Sequence, residues 1–304
     1  MAREIAAAMP DLGDSFGFEC RLDSQIDVDF GIAIRRDGYG VQRCTANPAK
    51  IESHGPVWER IVRFMQGWQD PTSLLHRWIP LLFLEFDAWE AGTEVSPPSV
   101  FVSLDWPADE DGHAARALER QCLRAALGIL LPTFDEEYAD ALESACESLP
   151  LAGRFVHVGA MIGRTDPALR LSASLPIEAL GAYLRSQDAD DRHVAIAAAI
   201  ERFMPGATGV HLEHDVGRLA THGLGLVLTP AANDWSALFE ALVVDGLATE
   251  SKVRALATWS SRTPSDGPDQ ELLRSISHIK VVSRAGEPWR AKAYVQAIPR
   301  YEAR

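Results

Sequence analysis

Basic and phenolic side chains alternate near the C-terminal end of the chain in a pattern that suits anion binding. Lys292, Tyr294 and Gln296 share one face of a predicted strand, because strand side chains alternate between two sides. His278 and Lys280 occupy the same face of the preceding predicted strand. Charge-assisted hydrogen bonds to phosphate oxygens are strong, so this hairpin is a candidate diphosphate site. Three further basic residues on polar strand faces join the candidate site: Arg21, Arg35 and Arg170.

The same strand faces also carry many acidic side chains, which leaves a second interpretation of the basic residues open. Lysine is seldom left on a covered face unless it is paired. Either nearby acids neutralise Lys280 and Lys292, or a bound anion does. Convergence of the basic residues on one point would favour an anion site. Dispersal, with each basic residue paired to an acid, would favour internal salt bridges.

Glu85 is the predicted general base or substrate anchor. It lies in the middle of an apolar segment, 80–87, where loss of contact with water would raise the pKa of a carboxyl group towards neutrality. The alternative is that Glu85 forms an ion pair with Arg21 or Arg35.

Two histidines and a second glutamate complete the set of predicted ligand-binding residues. His211 and Glu213 share a strand face, and His157 occupies a similar face in the neighbouring unit. Two histidines and a carboxylate can hold iron or zinc, but the chain lacks the HExxH spacing of many zinc sites. We predict no metal and no cofactor. The chain also lacks the G-x-S-x-G motif of serine hydrolases and the phosphate-binding motifs of nucleotide sites.

Composition narrows the classes of function and the location. The chain has 304 residues and a formal net charge of −14, which argues against nucleic-acid binding, since that needs basic surface. No apolar run approaches the ~20 residues of a membrane helix, and no signal peptide is evident. The four cysteines lack metal-binding spacing and are expected to be free thiols. We therefore expect a cytoplasmic protein without nucleic-acid or membrane partners.

A repeated unit of two strands and a helix would position these residues. In the segment 154–187, strand patterns at 155–162 and 169–175 flank a turn at 163–167, and a helical pattern follows Pro176. In this unit Val156, Val158, Leu169 and Leu171 should be buried, whereas His157 and Arg170 should face away from the helices. Further strand pairs are predicted at 16–22 and 27–35, 80–87 and 99–105, 210–216 and 224–229, and 278–283 and 291–298.

Predicted helices separate these strand pairs, and one polar segment between them shows no helical pattern. The segment between the second strand and His54 is predicted to be rich in turns, and a short helix is predicted at 270–276 before the last strand pair. The other predicted helices lie at 57–68, 74–78, 114–130, 135–148, 192–203, 235–244 and 250–259.

Five strand pairs separated by helices predict an α+β fold with about ten antiparallel strands, in a single domain over residues 1–304. Each strand has one aliphatic face that helices must cover and one polar face. The sequence favours a closed or nearly closed barrel whose polar face lines a lumen, since about eight strands can already be filled by side chains alone. Two smaller α+β domains, each with one polar sheet face in water, are the alternative.

The repeated helix–strand–strand–helix unit resembles the ABBA aromatic prenyltransferases, also called PT barrels. The resemblance covers most of the chain and is one of topology. Lys292-Ala293-Tyr294 is similar to the K-x-Y pattern that these enzymes use on the prenyl diphosphate. The resemblance implies a barrel that moves an allylic group from a diphosphate to an aromatic acceptor, with an acidic residue such as Glu85 holding the acceptor. The comparable strands carry acids, serines and histidines where the family usually has further lysines and tyrosines.

Two functions therefore remain open from the sequence. The first is an aromatic prenyltransferase-like enzyme of secondary metabolism, in which the basic residues hold the diphosphate and Glu85 takes a proton. The second is a binding protein that keeps the fold without the chemistry and holds a peptide or a small molecule. The acidic inner face favours a basic or amine-bearing ligand for this second function. The sequence does not predict the oligomeric state.

Overall fold

The structure of the protein is a computed structural model that describes all but short segments of the chain. The predicted turn at 163–167 lies outside the described residues. The described ranges are 12–87, 97–105, 112–162, 168–187, 189, 192–216, 223–230, 234–264, 270–283 and 287–301.

Eleven strands within the described ranges form one continuous antiparallel sheet. Most of them occupy the segments that alternate between apolar and polar residues, as the predicted strand pairs require. The strands are β1 (Ser15–Arg21), β2 (Val28–Arg35), β3 (Leu81–Phe86), β4 (Ser99–Ser103), β5 (Arg154–Ala160), β6 (Leu169–Pro176), β7 (Gly209–Val216), β8 (Leu224–Leu228), β9 (Ser261–Pro264), β10 (Gln270–Ser283) and β11 (Arg290–Tyr301).

Ten of these described strands close into a barrel, which confirms the predicted closed architecture. Each strand pairs with its neighbours in chain order from β1 to β8, then β8 pairs with β10, β10 with β11, and β11 with β1. The alternative of two separate sheets is wrong, because the pairing of β1 with β11 joins the two ends of one sheet. The short strand β9 pairs with residues 271–274 of β10, beyond the pairing of β10 with β8.

Helices cover the outside of the barrel and bury the aliphatic strand faces. In the helix Pro56–Gln69, the residues Ile61, Phe64, Met65 and Trp68 are fully buried, as their helical spacing predicts. The described α-helices are α1 (Tyr39–Ala46), α2 (Pro48–Glu52), α3 (Pro56–Gln69), α4 (Leu74–Trp78), α5 (Gly112–Leu130), α6 (Glu136–Ser148), α7 (Leu180–Ser186), α8 (His193–Phe203), α9 (Ser236–Val244) and α10 (Glu250–Ala257). Among the residues described, no helix has the length and apolar character needed to cross a membrane.

Two predictions of local structure were wrong. The segment 270–276 is part of β10 and not a helix, because its residues pair in register with β11. A short apolar run there fits both periods, and only the partner strand decides between them. The segment predicted to be rich in turns contains α1 and α2. Val41 and Cys44 are buried on α1, and Pro48 starts α2 at a position where proline suits a helix.

A β-bulge in β5 changes which side chain the helices bury. The pairs of β5 with β6 shift register between Phe155 and His157, so Val156 has no direct partner. Phe155 is fully buried in the core, whereas Val156 is only partly buried. The prediction that Val156 is buried was therefore wrong. Val158, Leu169 and Leu171 are buried as predicted, and the alternation resumes after the bulge.

Candidate functional site

The polar strand faces line a cavity of about 310 Å³ in the barrel lumen. This confirms that the faces opposite the helices point inwards. Charged, imidazole and aromatic side chains line much of the cavity, whereas part of its wall at β1 and β2 consists of small residues. Its lining includes Ser15, Gly17, Glu19, Asp29, Gly31, Ala33, Phe83, Glu85, Phe101, His157, Arg170, His211, Glu213, His278, Lys280, Tyr294 and Gln296.

The structure brings most of the predicted site residues to this cavity, but Arg21, Arg35 and Lys292 are not among the residues that line it. Arg21 lies near the end of β1 and pairs with Asp23, with Asp27 at 3.9 Å. Arg35 is exposed at the last position of β2. Alternation predicts the face of a side chain but not whether a residue near a strand end reaches the lumen. The predicted residues on the cavity wall are Glu85, His157, Arg170, His211, Glu213, Lys280 and Tyr294.

Glu19 is a central residue of the lumen that the sequence did not single out. It accepts hydrogen bonds from the Nζ atom of Lys292 and from the hydroxyl of Tyr294, and Lys280 Nζ lies 3.9 Å from its carboxylate. Burial alone would raise the pKa of Glu19, but the two lysine charges and these hydrogen bonds hold the pKa at about 2. The alternation of β1 placed Glu19 on the polar face, but no sequence signal showed that it would meet β11.

Each lumen cation is held by a carboxylate. Lys280 donates to Glu213 at 2.8 Å, and Arg170 donates two hydrogen bonds to Asp215, at 2.7 and 3.1 Å. Lys292 pairs with Glu19 and lies 3.9 Å from Asp29, another lumen residue that the sequence did not single out. Each of these basic residues thus has a carboxylate partner, as the interpretation as internal salt bridges requires, although both lysines lie near Glu19.

Lys280 on β10 reaches Glu213 on β7 across the intervening strand β8, at a position where β8 has a glycine, Gly225. A Cβ atom at Gly225 would lie 3.0 Å from Cδ of Lys280, so a larger residue there would displace the lysine stem. Burial would raise the pKa of Glu213, but the positive charges of Lys280 and Arg170 hold it well below its usual value. Burial would likewise lower the pKa of Lys280, but Glu213 and Glu19 raise it, so both members of the pair stay charged.

Glu85 differs from the other lumen carboxyl groups because no ion pair or hydrogen bond to it is found among the described residues. Burial is the main cause that raises its pKa to about 7, and the negative charge of Glu19 adds to it. One carboxyl oxygen from each of Glu19, Asp29 and Glu85 lies within 4.8 Å of the others. With its pKa raised towards neutrality, the Glu85 carboxyl group can exchange a proton near neutral pH.

The histidines of the lumen are neutral at physiological pH. Burial lowers the pKa of His157 to about 4 and that of His278 to about 3, and it also lowers the pKa of His211. His157 shares a 2.8 Å hydrogen bond with Ser103, and His211 shares one with Ser172. These serines fix the imidazole rings, which then present their remaining nitrogens as neutral hydrogen-bonding groups.

Aromatic rings supply the apolar part of the cavity. The ring of His278 stacks on that of Tyr294 with 4.2 Å between centroids, and Lys280 Nζ lies 4.6 Å from the centroid of the same tyrosine ring. The rings of His157 and Phe83 are nearly perpendicular, with 5.5 Å between their centroids. Within the described part of the chain, the group that could hold a metal ion is Glu19, Asp29 and Glu85, and Glu19 already accepts two hydrogen bonds.

We expect Gly159→Ala to destabilise the protein by about 1–3 kcal/mol. Gly159 lies opposite Phe101 on the lumen face, and a Cβ atom there would overlap the phenyl ring. Urea unfolding of both proteins measures the difference. Gly209→Ala is the control, because Gly209 is exposed and its Cβ would lie 3.5 Å from the nearest atom. Equal stability of the Gly159 and Gly209 variants would contradict the tight packing of Phe101.

Comparisons with known proteins support the fold. No family model and no curated protein sequence matches the chain. A 6-dimethylallyltryptophan synthase from Micromonospora olivasterospora, solved in complex with DMASPP and Trp, has a TM-score of 0.54 at 12% identity, over 95% of this chain and 84% of that chain. A 5-dimethylallyltryptophan synthase from Streptomyces coelicolor covers 92% of this chain and 80% of its own, with a TM-score of 0.49 and 16% identity.

Proposed function

We propose that the ABBA-type barrel of this protein binds an amine-bearing small molecule in its lumen and does not bind a diphosphate. The chain has the same fold as the 6-dimethylallyltryptophan synthase, but a shared fold does not carry a shared activity. The observation that carries the proposal is the balance of charge on the lumen wall. Among the described residues, the cavity is lined by four carboxyl groups, Glu19, Asp29, Glu85 and Glu213, and two cations, Arg170 and Lys280, while Asp215 and Lys292, which pair with lining residues, add one charge of each sign.

A diphosphate would meet an unfavourable field in this lumen. Arg170, Lys280 and Lys292 each form an ion pair with a carboxylate, so their charges are already balanced and part of their hydrogen-bonding capacity is occupied. A diphosphate would have to displace those carboxylates or sit beside them, and like charges in a cavity of low dielectric repel strongly. A cation meets the opposite field, since acids outnumber bases.

Glu85 is the proposed anchor for the ligand amine. Its carboxyl group has no hydrogen bond or ion pair to another described residue, and it lies close to the carboxyl groups of Glu19 and Asp29. An ammonium group placed there would favour the ionised form of Glu85. Binding should therefore release a proton from Glu85 and tighten as the pH rises from about 6 to 8.

Calorimetric titration tests this function with tryptamine as the amine and dimethylallyl diphosphate as the anion. We expect the protein to bind tryptamine and not the diphosphate. Glu85→Gln should weaken tryptamine binding roughly tenfold to a hundredfold, because it removes a charge-assisted hydrogen bond of about 1.5–3 kcal/mol. Glu59→Gln on the exposed surface of α3 is the matched control and should not change the affinity.

One further arm of the same titration separates the possible sources of the amine. A tripeptide with blocked termini and a central lysine tests a peptide side chain, in comparison with tryptamine as the small molecule. Binding of the diphosphate without tryptamine would overturn the proposal. So would equal tryptamine affinity in the parent protein and the Glu85 variant. The cytoplasmic location stays a prediction from the sequence.

Aromatic prenyl transfer is the second candidate function, and Glu85 is the observation that favours it. In that reaction the allylic C–O bond breaks, diphosphate leaves, and an aromatic carbon attacks the allyl cation before losing a proton. A carboxyl group with a pKa of about 7 is suited to accept that proton. Mass spectrometry after incubation with dimethylallyl diphosphate and tryptophan tests it. A product heavier than tryptophan by one C₅H₈ unit, absent with Glu85→Gln, would establish this candidate in place of the first.

A further inference from the structure

The lumen wall contains a patch of four small residues where β1 and β2 pair. Gly17 lies directly opposite Gly31, and Ser15 lies directly opposite Ala33. All four line the cavity. We call these four residues the shelf.

The protein itself does not require glycine at either position of the shelf. The register of β1 with β2 is continuous, so neither glycine forms a bulge. The glycines with positive φ in the described chain are Gly55, Gly206 and Gly246, so Gly17 and Gly31 use ordinary backbone angles. Glycine inside a strand nevertheless weakens it, by roughly 0.5–1 kcal/mol relative to alanine.

Among the described residues, no side-chain atom outside the adjacent residues lies within 4 Å of a Cβ atom placed at Gly17 or Gly31. A Cβ atom at Gly17 would meet only the backbone oxygen of Val295, at 3.7 Å. At Gly31 it would meet only backbone oxygens, at 3.8 and 3.9 Å. These are ordinary contacts, so a side chain would fit and would project into the cavity. A strand glycine that forms no bulge marks either a tight bend of a barrel or a place where a ligand approaches the backbone, and the open space beside these two glycines favours a ligand.

The shelf lies next to the proposed amine site. One row of paired residues crosses four neighbouring strands: Gln296 on β11, Gly17 on β1, Gly31 on β2 and Glu85 on β3. Neighbouring strands are about 4.8 Å apart, so Gln296 and Glu85 are separated by roughly 14 Å of bare backbone. That length accommodates the face of a bicyclic aromatic ring. Glu19 and Asp29 form the next row towards the charged end of the lumen.

We propose that Gly17 and Gly31 determine ligand specificity by letting a flat aromatic ring lie on the shelf while its ammonium group meets Glu85. The ligand class is then an arylalkylamine. This inference rests on the proposed function and adds the shape of the ligand and the residues that select it. Larger residues at Gly17 or Gly31 would exclude the ring and leave the charged end of the lumen unchanged.

Valine substitutions test the shelf with three probes, tryptamine, n-propylamine and indole. We expect Gly31→Val and Gly17→Val to weaken tryptamine and indole binding at least about tenfold. Binding of n-propylamine, which carries the ammonium group without a ring, should change less than about twofold. Gly209→Val, on the exposed end of β7, is the matched control and should bind all three probes like the parent protein. If a valine variant does not melt cooperatively, Gly31→Ala replaces it, with a smaller loss in the same direction.

The outcomes separate the shelf from the amine site. Unchanged tryptamine and indole affinities in the Gly17 and Gly31 variants would overturn the shelf, whatever happens to n-propylamine. Loss of indole binding in those variants, in a protein that binds no amine, would retain the shelf as an aromatic subsite and overturn the amine-binding function. A loss of n-propylamine binding as large as that of tryptamine would also overturn the shelf, because the substitution would then have disturbed the charged end.

Discussion

Lys280→Ala is expected to lower the free energy of unfolding by about 3–5 kcal/mol, since removing one partner of a buried ion pair leaves the other charge uncompensated. Lys280 is 6% exposed, and Glu213 accepts its hydrogen bond at 2.8 Å. Without Lys280, Glu213 would keep only the more distant charge of Arg170. Urea unfolding at pH 7 measures the change. Arg254→Ala is the control, because that guanidinium is 79% exposed and should change the stability little.

A double variant distinguishes the buried ion pair from simple loss of packing. Lys280→Met with Glu213→Leu removes both charges and keeps apolar volume, so most of the lost stability should return. Lys292→Ala should cost less than Lys280→Ala, because the Lys292 side chain is 30% exposed and Glu19 keeps Lys280 and Tyr294. Parent-like stability of Lys280→Ala would show that the lysine charge is not balanced by Glu213, and would favour a bound anion instead.

Glu119→Gln is expected to remove a pH dependence of stability worth roughly 3–5 kcal/mol between pH 4.5 and 8. Glu119 lies on α5, and its side chain is fully buried between the helices and the barrel. Burial raises its pKa to about 8, and the Arg116 charge and the Phe155 backbone offset that effect only in part. Arg116 is 3.6 Å away and also donates to the backbone oxygens of Pro150 and Gly153.

The sign follows from the two states of the chain. In the unfolded chain Glu119 ionises near pH 4.5, whereas in the folded protein it keeps its proton to about pH 8. The folded state therefore binds more protons across this window, and its stability falls as the pH rises. Unfolding free energies of the parent and the variant, measured from pH 5 to 8.5, should converge at low pH and separate at high pH in favour of glutamine.

The difference between the two proteins isolates Glu119 from other groups. Burial lowers the pKa of His214 to about 4. Buried histidines of this kind lower the stability of the folded protein as the pH falls below 6.5. They do so equally in the parent and the variant, so their effect cancels in the difference between the two. Glu147→Gln, at an exposed position of α6, is the control and should follow the parent. Parallel pH curves for the parent and Glu119→Gln would contradict a protonated Glu119 at neutral pH.

Alternation along single strands was enough to place most of the lumen residues. Arg170, Ser172 and Ser174 oppose a purely aliphatic face of β6, so only one orientation buries that face under helices. The same reasoning placed Glu85, Glu213 and Lys280 on the inner wall. The repeat of strand pairs and helices likewise predicted the antiparallel topology. These features depend on local periodicity and on the need to bury apolar surface, and the amino-acid sequence alone determines both.

Only the tertiary structure decided which charges meet. Lys292 reaches Glu19 because β11 pairs with β1, which joins residues 273 positions apart and closes the barrel. The bulge at Val156 reverses the orientation of Phe155, and the local sequence gives no sign of it. Arg21 and Arg35 alternate like the lumen residues, yet their places at strand ends keep them out of the cavity. Register, closure and strand ends are properties of pairs of strands, so periodicity along one strand does not determine them.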